Sequence, residues 1–435
     1  MDMDKMISDY IEKYRTEIVE KLCEFIRIPG IAKFDDEKLP YGKACADSLD
    51  FCINLSKDKN LIVKNYDYYC AEAKLNSENK GKRLVIAAHS DVVPTDEDNM
   101  IYPPFEGTIV NNYVIGRGAV DNKGPLIAAL YAMAFIKENN IKLNNDIRLV
   151  FGSNEECGMD DMEYYLEKAG EPDLGLAVDD DFPVSNGEKG LLRFRLGFCK
   201  TDDLEDIISF APGQRLVHNH IKYKFKGDFI EKTNRNNEKG FLENNIKEEF
   251  FKNKNDYGIV KAICKSIDGE YLNINSCDKY SGNSVVRLIS INSDNENIYL
   301  DFDVRTPITS DLNEAKEKIK TFFTNNNINF KITKVSKGYF IPDDDPILNL
   351  LTNLYNKTTN SNDKPYSIGA CTYARKFKYG MIFGGGNQHE VKPFPTGHGG
   401  AHGPDEAHNI DVLMTAVKMY ILGILAIDNY WSEKK

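Results

Sequence analysis

Residues 83–94 read RLVIAAHSDVVP, an aliphatic run that stops abruptly on His89 and Asp91. Two more runs have the same form: 147–151, followed by GSNEECG, and 174–178, followed by DDDFP. Short runs rich in Val, Ile and Leu, closed by polar residues, read as buried strands. Between the first two lies GPLIAALYAMAFIKE, residues 124–138. It reads as a helix with Pro125 in its first turn, where a missing N–H is harmless. Strands alternating with helices predict an α/β fold with a mainly parallel sheet and helices on both faces. In such sheets, sites form beyond the carboxyl ends of the strands. Residues far apart in sequence can therefore converge there.

Seven acidic or imidazole residues stand at such ends or in similar settings, at five points of the chain. They are His89 and Asp91, Asp121 in GRGAVDNKGP, Glu155 and Glu156 in GSNEECG, Asp179 in DDDFP, and His402 in GGAHGPDEAH. Two imidazoles and several carboxylates, one able to bridge, suit a pair of zinc-like ions with a carboxylate left over as base. Adjacent glutamates on an irregular turn can point one to a metal and the other to a water. The combination points to hydrolysis of an amide bond. Each motif alone is weak, since His-x-Asp is common by chance and paired glutamates are usually solvated. Four of the seven histidines lie between His389 and His408, so His398 and His408 compete with His402.

A chain of 435 residues predicts two domains. Its net charge of −12 argues against a nucleic-acid partner. Nine cysteines, scattered singly with no CxxC pair, indicate neither a disulfide framework nor a thiolate zinc site. The start, MDMDKMISDY, lacks a signal-peptide pattern, and the longest apolar run, MYILGILAI at 419–427, is about half a membrane span. A soluble, cytoplasmic protein with no membrane partner is expected.

The first segment has apolar residues at Ile7, Tyr10, Ile11, Tyr14, Ile18, Leu22, Phe25 and Ile26, an amphipathic helix stopped by Pro29-Gly30. Composition shifts after Gly190. Residues 234–256, NRNNEKGFLENNIKEEFFKNKND, read as exposed helix, loop or both. NIYLDFDVRTPI (297–308) restores strand alternation, and 313–327 follow as helix. The domain expectation is a catalytic domain formed by 1–189 and 339–435, interrupted by an inserted α+β domain at 190–338. An apolar helix at 412–427 closes the chain.

The ordered set HSDVVP, GRGAVDNKGP, GSNEECG, DDDFPVSNGEKG and AHGPDE resembles the dinuclear zinc peptidase family of aminoacylases, carboxypeptidases and dipeptidases. The blocks DFPVSNGEKG, IGACTYAR (368–375) and YFIPDDDPIL (339–348) are most similar to its bacterial Xaa-His or β-Ala dipeptidase branch. The resemblance covers roughly 1–190 and 340–430. It implies a phosphorylase/hydrolase-like catalytic domain under a lid domain. It also implies two divalent ions, zinc first, with manganese or cobalt compatible. Asp121 would bridge the ions; His89 and Asp179 would complete one site, Glu156 and His402 the other. Glu155 would move the proton from the attacking water to the leaving amine, and Asp91 would orient His89. The Asp121–Asn122 peptide would be cis. Arg305 in FDVRTP would receive the substrate carboxylate, with Gly369 of IGACTYAR also against the substrate.

One family feature is missing. The inserted domain of relatives carries a histidine in a GxxAHxxxP motif that stabilises the oxyanion. Between Asp91 and His389 this chain has only His218 and His220, in GQRLVHNHIKYKF. That stretch aligns with a family segment whose substrate-touching asparagine is replaced by Val217. His218, Asn219 or His220 can substitute, although alternation puts Asn219 on the opposite face from both histidines. Loss of one such donor would cost about 10²–10³ in rate. The expectation is therefore a metal-dependent dipeptidase, monomer or homodimer, with Glu155 as base. The rivals are a catalytically impaired metal- or peptide-binding protein and an N-acyl-amino-acid deacylase.

Overall fold

The first helix, α1 (Met3–Ile26), starts where the Asp2 carboxylate accepts the Asp4 N–H at 3.2 Å. Asp2 is thus an N-cap that satisfies a donor the helix cannot. Ile7, Tyr10, Ile18, Leu22, Phe25 and Ile26 are buried along one stripe, and the helix ends before Pro29 as the sequence predicts. The structure is a computed structural model that describes residues 2–34, 38–76, 81–95, 99–210, 220–233 and 240–434. The chain forms two units: Met1–Asn186, Ile341–Tyr366 and Cys371–Lys435 in the first, Gly187–Phe340 and Ser367–Ala370 in the second.

Six strands of a nine-stranded sheet position the site in the first unit: β1 (Ile62–Tyr66), β2 (Cys70–Lys74), β3 (Arg83–His89), β4 (Asp146–Gly152), β5 (Leu174–Ala177) and β6 (Gly380–Ile382), in the order β1-β2-β4-β3-β5-β6. The three central pairings, β4·β3, β3·β5 and β5·β6, are parallel. The flanks are not. β1 and β2 form an antiparallel hairpin, β2 runs antiparallel to β4, and Ile382 of β6 meets Ser185 antiparallel. The sheet is thus mixed rather than mainly parallel. The reason is local: Asp67 and Tyr68 both take positive φ, so the chain folds straight back with no room for a crossover helix.

Among the described residues of the first unit, five α-helices follow α1: α2 (Gly42–Asp58), α3 (Lys123–Glu138), α4 (Asp160–Ala169), α5 (Pro346–Thr359) and α6 (Ile410–Glu433). α3 packs on β3 and β4, and α2 on β1, β2 and β4. All seven residues of β4 are buried, as a strand covered on both faces requires. Fourteen of the sixteen α3 residues are buried, so it is a core helix with no solvent stripe. α5 opens on Asp345, whose carboxylate accepts the Ile347 and Leu348 N–H groups at 2.9 Å, with Pro346 in the first turn. α6 is long and apolar enough to cross a membrane, but most of its apolar window is buried inside the protein. Its buried side chains include Leu413, Val417, Tyr420 and Ile424, and it packs on α3 and α1.

The second unit is a seven-stranded antiparallel sheet. Its order is Asp228–Thr233, His220–Phe225, Leu204–Phe210, Val285–Ser293, Asn297–Thr306, Gly190–Cys199 and Asn329–Ser336. One core joins Phe194, Leu300 and Phe302 of the sheet to Ile319 and Phe323 of the helix Leu312–Asn325. The stretch read as exposed corrects itself here. Residues 234–239 lie outside the described residues, but Phe241, Leu242, Ile246, Phe250 and Phe251 are buried in that same core. Two short helices, Phe241–Asn245 and Glu248–Phe250, and the residue that caps each carry them, so the apolar positions follow no single period.

Candidate metal centre

Parallel pairing sets His89 opposite Gly152, and Ala87 opposite Ala177. The segments after β3, β4 and β5 therefore leave the sheet at one edge, carrying His89–Asp91, Glu155–Glu156 and Asp179. Asp121 arrives just before α3. His402 comes from the loop ahead of Ala407–Asn409, which pairs antiparallel with Tyr113–Ile115.

Asp121 stands between the two imidazoles. Its Oδ1 lies 3.0 Å from His89 Nε2, and its Oδ2 lies 3.0 Å from His402 Nε2. Asp179 Oδ1 is 3.6 Å from His89 Nε2, and Glu156 Oε1 is 2.9 Å from His402 Nε2. Two groups of possible ligand atoms result, His89–Asp121–Asp179 and Asp121–Glu156–His402, the atoms of each within 4.8 Å of one another. Asp121 belongs to both. Each group is a nitrogen and oxygens at the spacing a zinc-sized ion spans. Glu155 is in neither group, and its Oε1 is buried with no hydrogen-bond partner.

The charges agree with a cation site. Burial alone would lower the imidazoles, but Asp179 and Asp121 raise His89 well above its usual value. For His402, burial is outweighed by Glu156 and Asp121, which push it up to about 11. Burial opposes ionisation of Asp121 too, yet His402 and His89 hold it well below the usual carboxylate range. Burial and then Asp121 raise Glu156 to about 7, while burial and Asp179 raise Glu155 far above normal. Positive charge between these groups relieves the repulsion, and the donor set fits a pair of divalent ions.

A pH dependence of metal binding follows. Ligating imidazole must be neutral. With His402 raised to about 11, an entering ion displaces a proton at every pH below that, and below about 7 Glu156 yields one too. Affinity should therefore rise with pH, by about tenfold per unit for each displaced proton. Calorimetric titration of zinc from pH 6 to 8, in buffers of different ionisation enthalpy, measures this; an affinity flat across that window contradicts it.

The remaining sequence candidates are placed as follows. Asp91 is buried; its backbone carbonyl is 3.0 Å from His89 Nδ1 and its Oδ1 3.4 Å away. Its carboxylate also accepts the Glu155 and Glu156 N–H groups at 3.2 and 3.1 Å, so it holds the turn that bears both glutamates as well as the ring. The Asp121–Asn122 peptide is cis. Of the rival histidines, His398 pairs with Asp405 and His408 is buried in the strand Ala407–Asn409. In the second unit, Arg305 Nε donates to Asp303 Oδ1 at 2.7 Å and Nη1 to the Gly369 carbonyl at 2.7 Å. His220 bonds Thr233 through Nδ1. Val217, His218 and Asn219 lie outside the described residues.

Several supporting residues escaped the sequence reading. Asn122 Oδ1 accepts the His89 N–H, while its Nδ2 donates to the Val178 carbonyl and Asp179 Oδ1. Glu406 Oε1 accepts the Val120 and Asp121 N–H groups at 3.0 Å, and its Oε2 is 2.5 Å from Arg117 Nη1. Buried Lys123 donates to the Phe25 and Ile28 carbonyls at the end of α1. In the sequence, Asn122 and Lys123 directly follow the candidate ligand Asp121 in VDNKG, and Glu406 lies four residues after His402.

The model of Peptidase family M20/M25/M40 matches residues 85–425. A Bacillus subtilis relative, "Putative dipeptidase YtjP", is 25% identical, covering 94% of this chain and 97% of its own. The Saccharomyces cerevisiae dipeptidase Dug1p superposes with a TM-score of 0.67 at 13% identity, covering 98% of both chains. The Bacillus subtilis YXEP protein, a dinuclear metal-binding peptidase, gives 0.56 at 9% identity, with 96% and 98% covered. These structural likenesses carry the fold. The family match spans well over half of the 435 residues, and the chain belongs to peptidase family M20/M25/M40.

Proposed function

We propose that this chain is a dinuclear metal-dependent dipeptidase that hydrolyses the amide bond of short peptides. The observation that carries this reading is Asp121, one oxygen toward each imidazole–carboxylate pair, beside the buried, unpaired oxygen of Glu155. Two divalent ions, zinc first and manganese or cobalt as compatible substitutes, would be held by His89, Asp121 and Asp179 and by Asp121, Glu156 and His402, and would supply Lewis acidity and a water acidic enough to attack near neutral pH. Glu155 takes a proton from the attacking water and returns it to the leaving amine. Burial, then the Asp179 carboxylate, raises the Glu155 carboxyl above its usual range, which favours its taking up the proton of the attacking water. Asp91 fixes His89 and the turn that bears Glu155.

In this reading 190–338 is a lid domain inserted between catalytic segments 1–189 and 339–435. Arg305 receives the substrate carboxylate with Gly369 beside it, and Asp303 sets the plane of the guanidinium fork. His218 stays a candidate oxyanion donor. The compartment is the cytoplasm. Replacing Arg305 by alanine should raise KM for dipeptides about tenfold to a hundredfold, the weight of a charge-assisted pair. It should change KM little for the same peptides with an amidated carboxyl end; equal effects on both would remove Arg305 from the carboxylate.

The dipeptidase reading is tested with paired substrates, Ala-His and N-acetyl-Ala-His among them. Preference for the free amino group supports the dipeptidase, whereas preference for the acylated partner supports the deacylase. The missing GxxAHxxxP motif favours a second reading, a metal- and peptide-binding protein without turnover; binding of both peptides with cleavage of neither supports that one.

A further inference from the structure

The block IGACTYAR supplies Gly369 to the scheme above, but its tyrosine has no place in it. Tyr373 is 1% exposed, and its hydroxyl donates to Asp161 Oδ2. Asp161 is fully buried in the first turn of α4. The same Oδ2 accepts the Ser153 and Asn154 N–H groups, both at 2.8 Å, and Oδ1 accepts the Met162 N–H at 2.7 Å. Ser153 and Asn154 are the two residues immediately before Glu155 and Glu156. Since Asp91 holds the next two N–H groups, two buried carboxylates grip four successive amides of this turn.

The far side of the turn is closed as well: the Asn154 carbonyl accepts the Gly158 and Met159 N–H groups. Gly152, the last residue of β4, leaves the space that the pair fills. A Cβ there would lie 1.9 Å from the Tyr373 hydroxyl and 2.3 Å from Asp161 Oδ2. Tyr373 also meets the His89 ring edge-on, with centroids 6.4 Å apart. A tie spanning 212 residues of sequence thus ends on the backbone that aims the base and one metal ligand.

We propose that Tyr373 and Asp161 are positioning residues that fix the Glu155–Glu156 turn, acting through the Ser153 and Asn154 amides and touching no substrate. This rests on the dipeptidase reading, in which a displacement of the base by about 1 Å costs about a hundredfold in rate. Tyr373 brings one hydroxyl from a distant segment, so the tie can be removed while the ring stays.

The test is Tyr373→Phe in the zinc-loaded full chain, which keeps the ring and the space at Gly152. On Ala-His, kcat should fall about tenfold to a hundredfold, with KM within about twofold and two ions per chain retained. Amide hydrogen exchange in the peptide covering 153–158 should quicken. Asp161→Asn should act in the same direction and further, and the double variant should be no worse than Asp161→Asn alone, because both act through the same amides. Should Asp161→Asn fail to fold, Tyr373→Phe decides alone. Wild-type kcat with unchanged exchange, or a loss confined to KM or metal content, overturns the proposal. If the unaltered protein cleaves no dipeptide, the hydrolase reading fails by itself, and the exchange measurement still judges the tie.

Discussion

Glu155→Gln should abolish turnover and leave both metal ions in place. Glu155 lies in neither ligand group, so its loss removes no ion, and glutamine preserves its shape among buried neighbours. What disappears is the acid–base function. A positioned general base contributes about 10²–10⁴ in rate, and in the proposed mechanism the same group also protonates the leaving amine, so kcat should fall to the top of that range or beyond. Elemental analysis should still find two ions per chain. Glu156→Gln is the control: Glu156 sits 2.9 Å from His402 Nε2 within a ligand group, so its variant should lose metal along with activity. Exchange of these two outcomes would reverse the assignment of base and ligand.

The second large effect is on stability. Arg117 and Glu406 form an ion pair with side chains 2% and 0% exposed. Glu406 also accepts the Val120 and Asp121 N–H groups, and Arg117 Nη2 donates to the His402 carbonyl at 3.3 Å. Breaking a buried pair by removing one partner costs about 3–5 kcal/mol, since the other charge is left buried. Glu406→Ala should therefore shift urea unfolding to markedly lower concentration and weaken metal retention, because the backbone of the shared ligand loses its acceptors. Trp431, the single tryptophan, is buried in α6 of the same unit, so its fluorescence reports the transition. Removing Arg117 as well should restore part of the stability, but not the part due to the two orphaned amides. An unfolding midpoint unchanged in Glu406→Ala would contradict this account.

How the sequence carries the site can be seen residue by residue. His89, Glu155 and Asp179 are legible because each stands at or just after the end of a short, mostly aliphatic strand, and because neighbouring parallel strands end together. The supports are a different matter. Tyr373 and Asp161 are 212 residues apart, and Arg117 and Glu406 are 289 apart. No local periodicity encodes such a contact; only the finished packing creates it. The β1–β2 hairpin was missed for a related reason. Its turn, Asp67-Tyr68, lacks the glycine that usually marks two residues at positive φ. In 240–251 the buried Phe and Leu were masked by a background of Asn, Lys and Glu, and by turns too short to show a repeat.

Hydrolysis by a pair of ions is tested most directly by one titration. Metal-free protein is titrated with zinc while cleavage of β-Ala-His and Ala-His is followed at pH 7.5. The account predicts activity that rises to a plateau at two ions per chain, with Glu155→Gln binding the same two ions and staying inactive. Two ions bound, with no cleavage above that variant, would contradict it and leave a protein that holds metal without turning over these peptides.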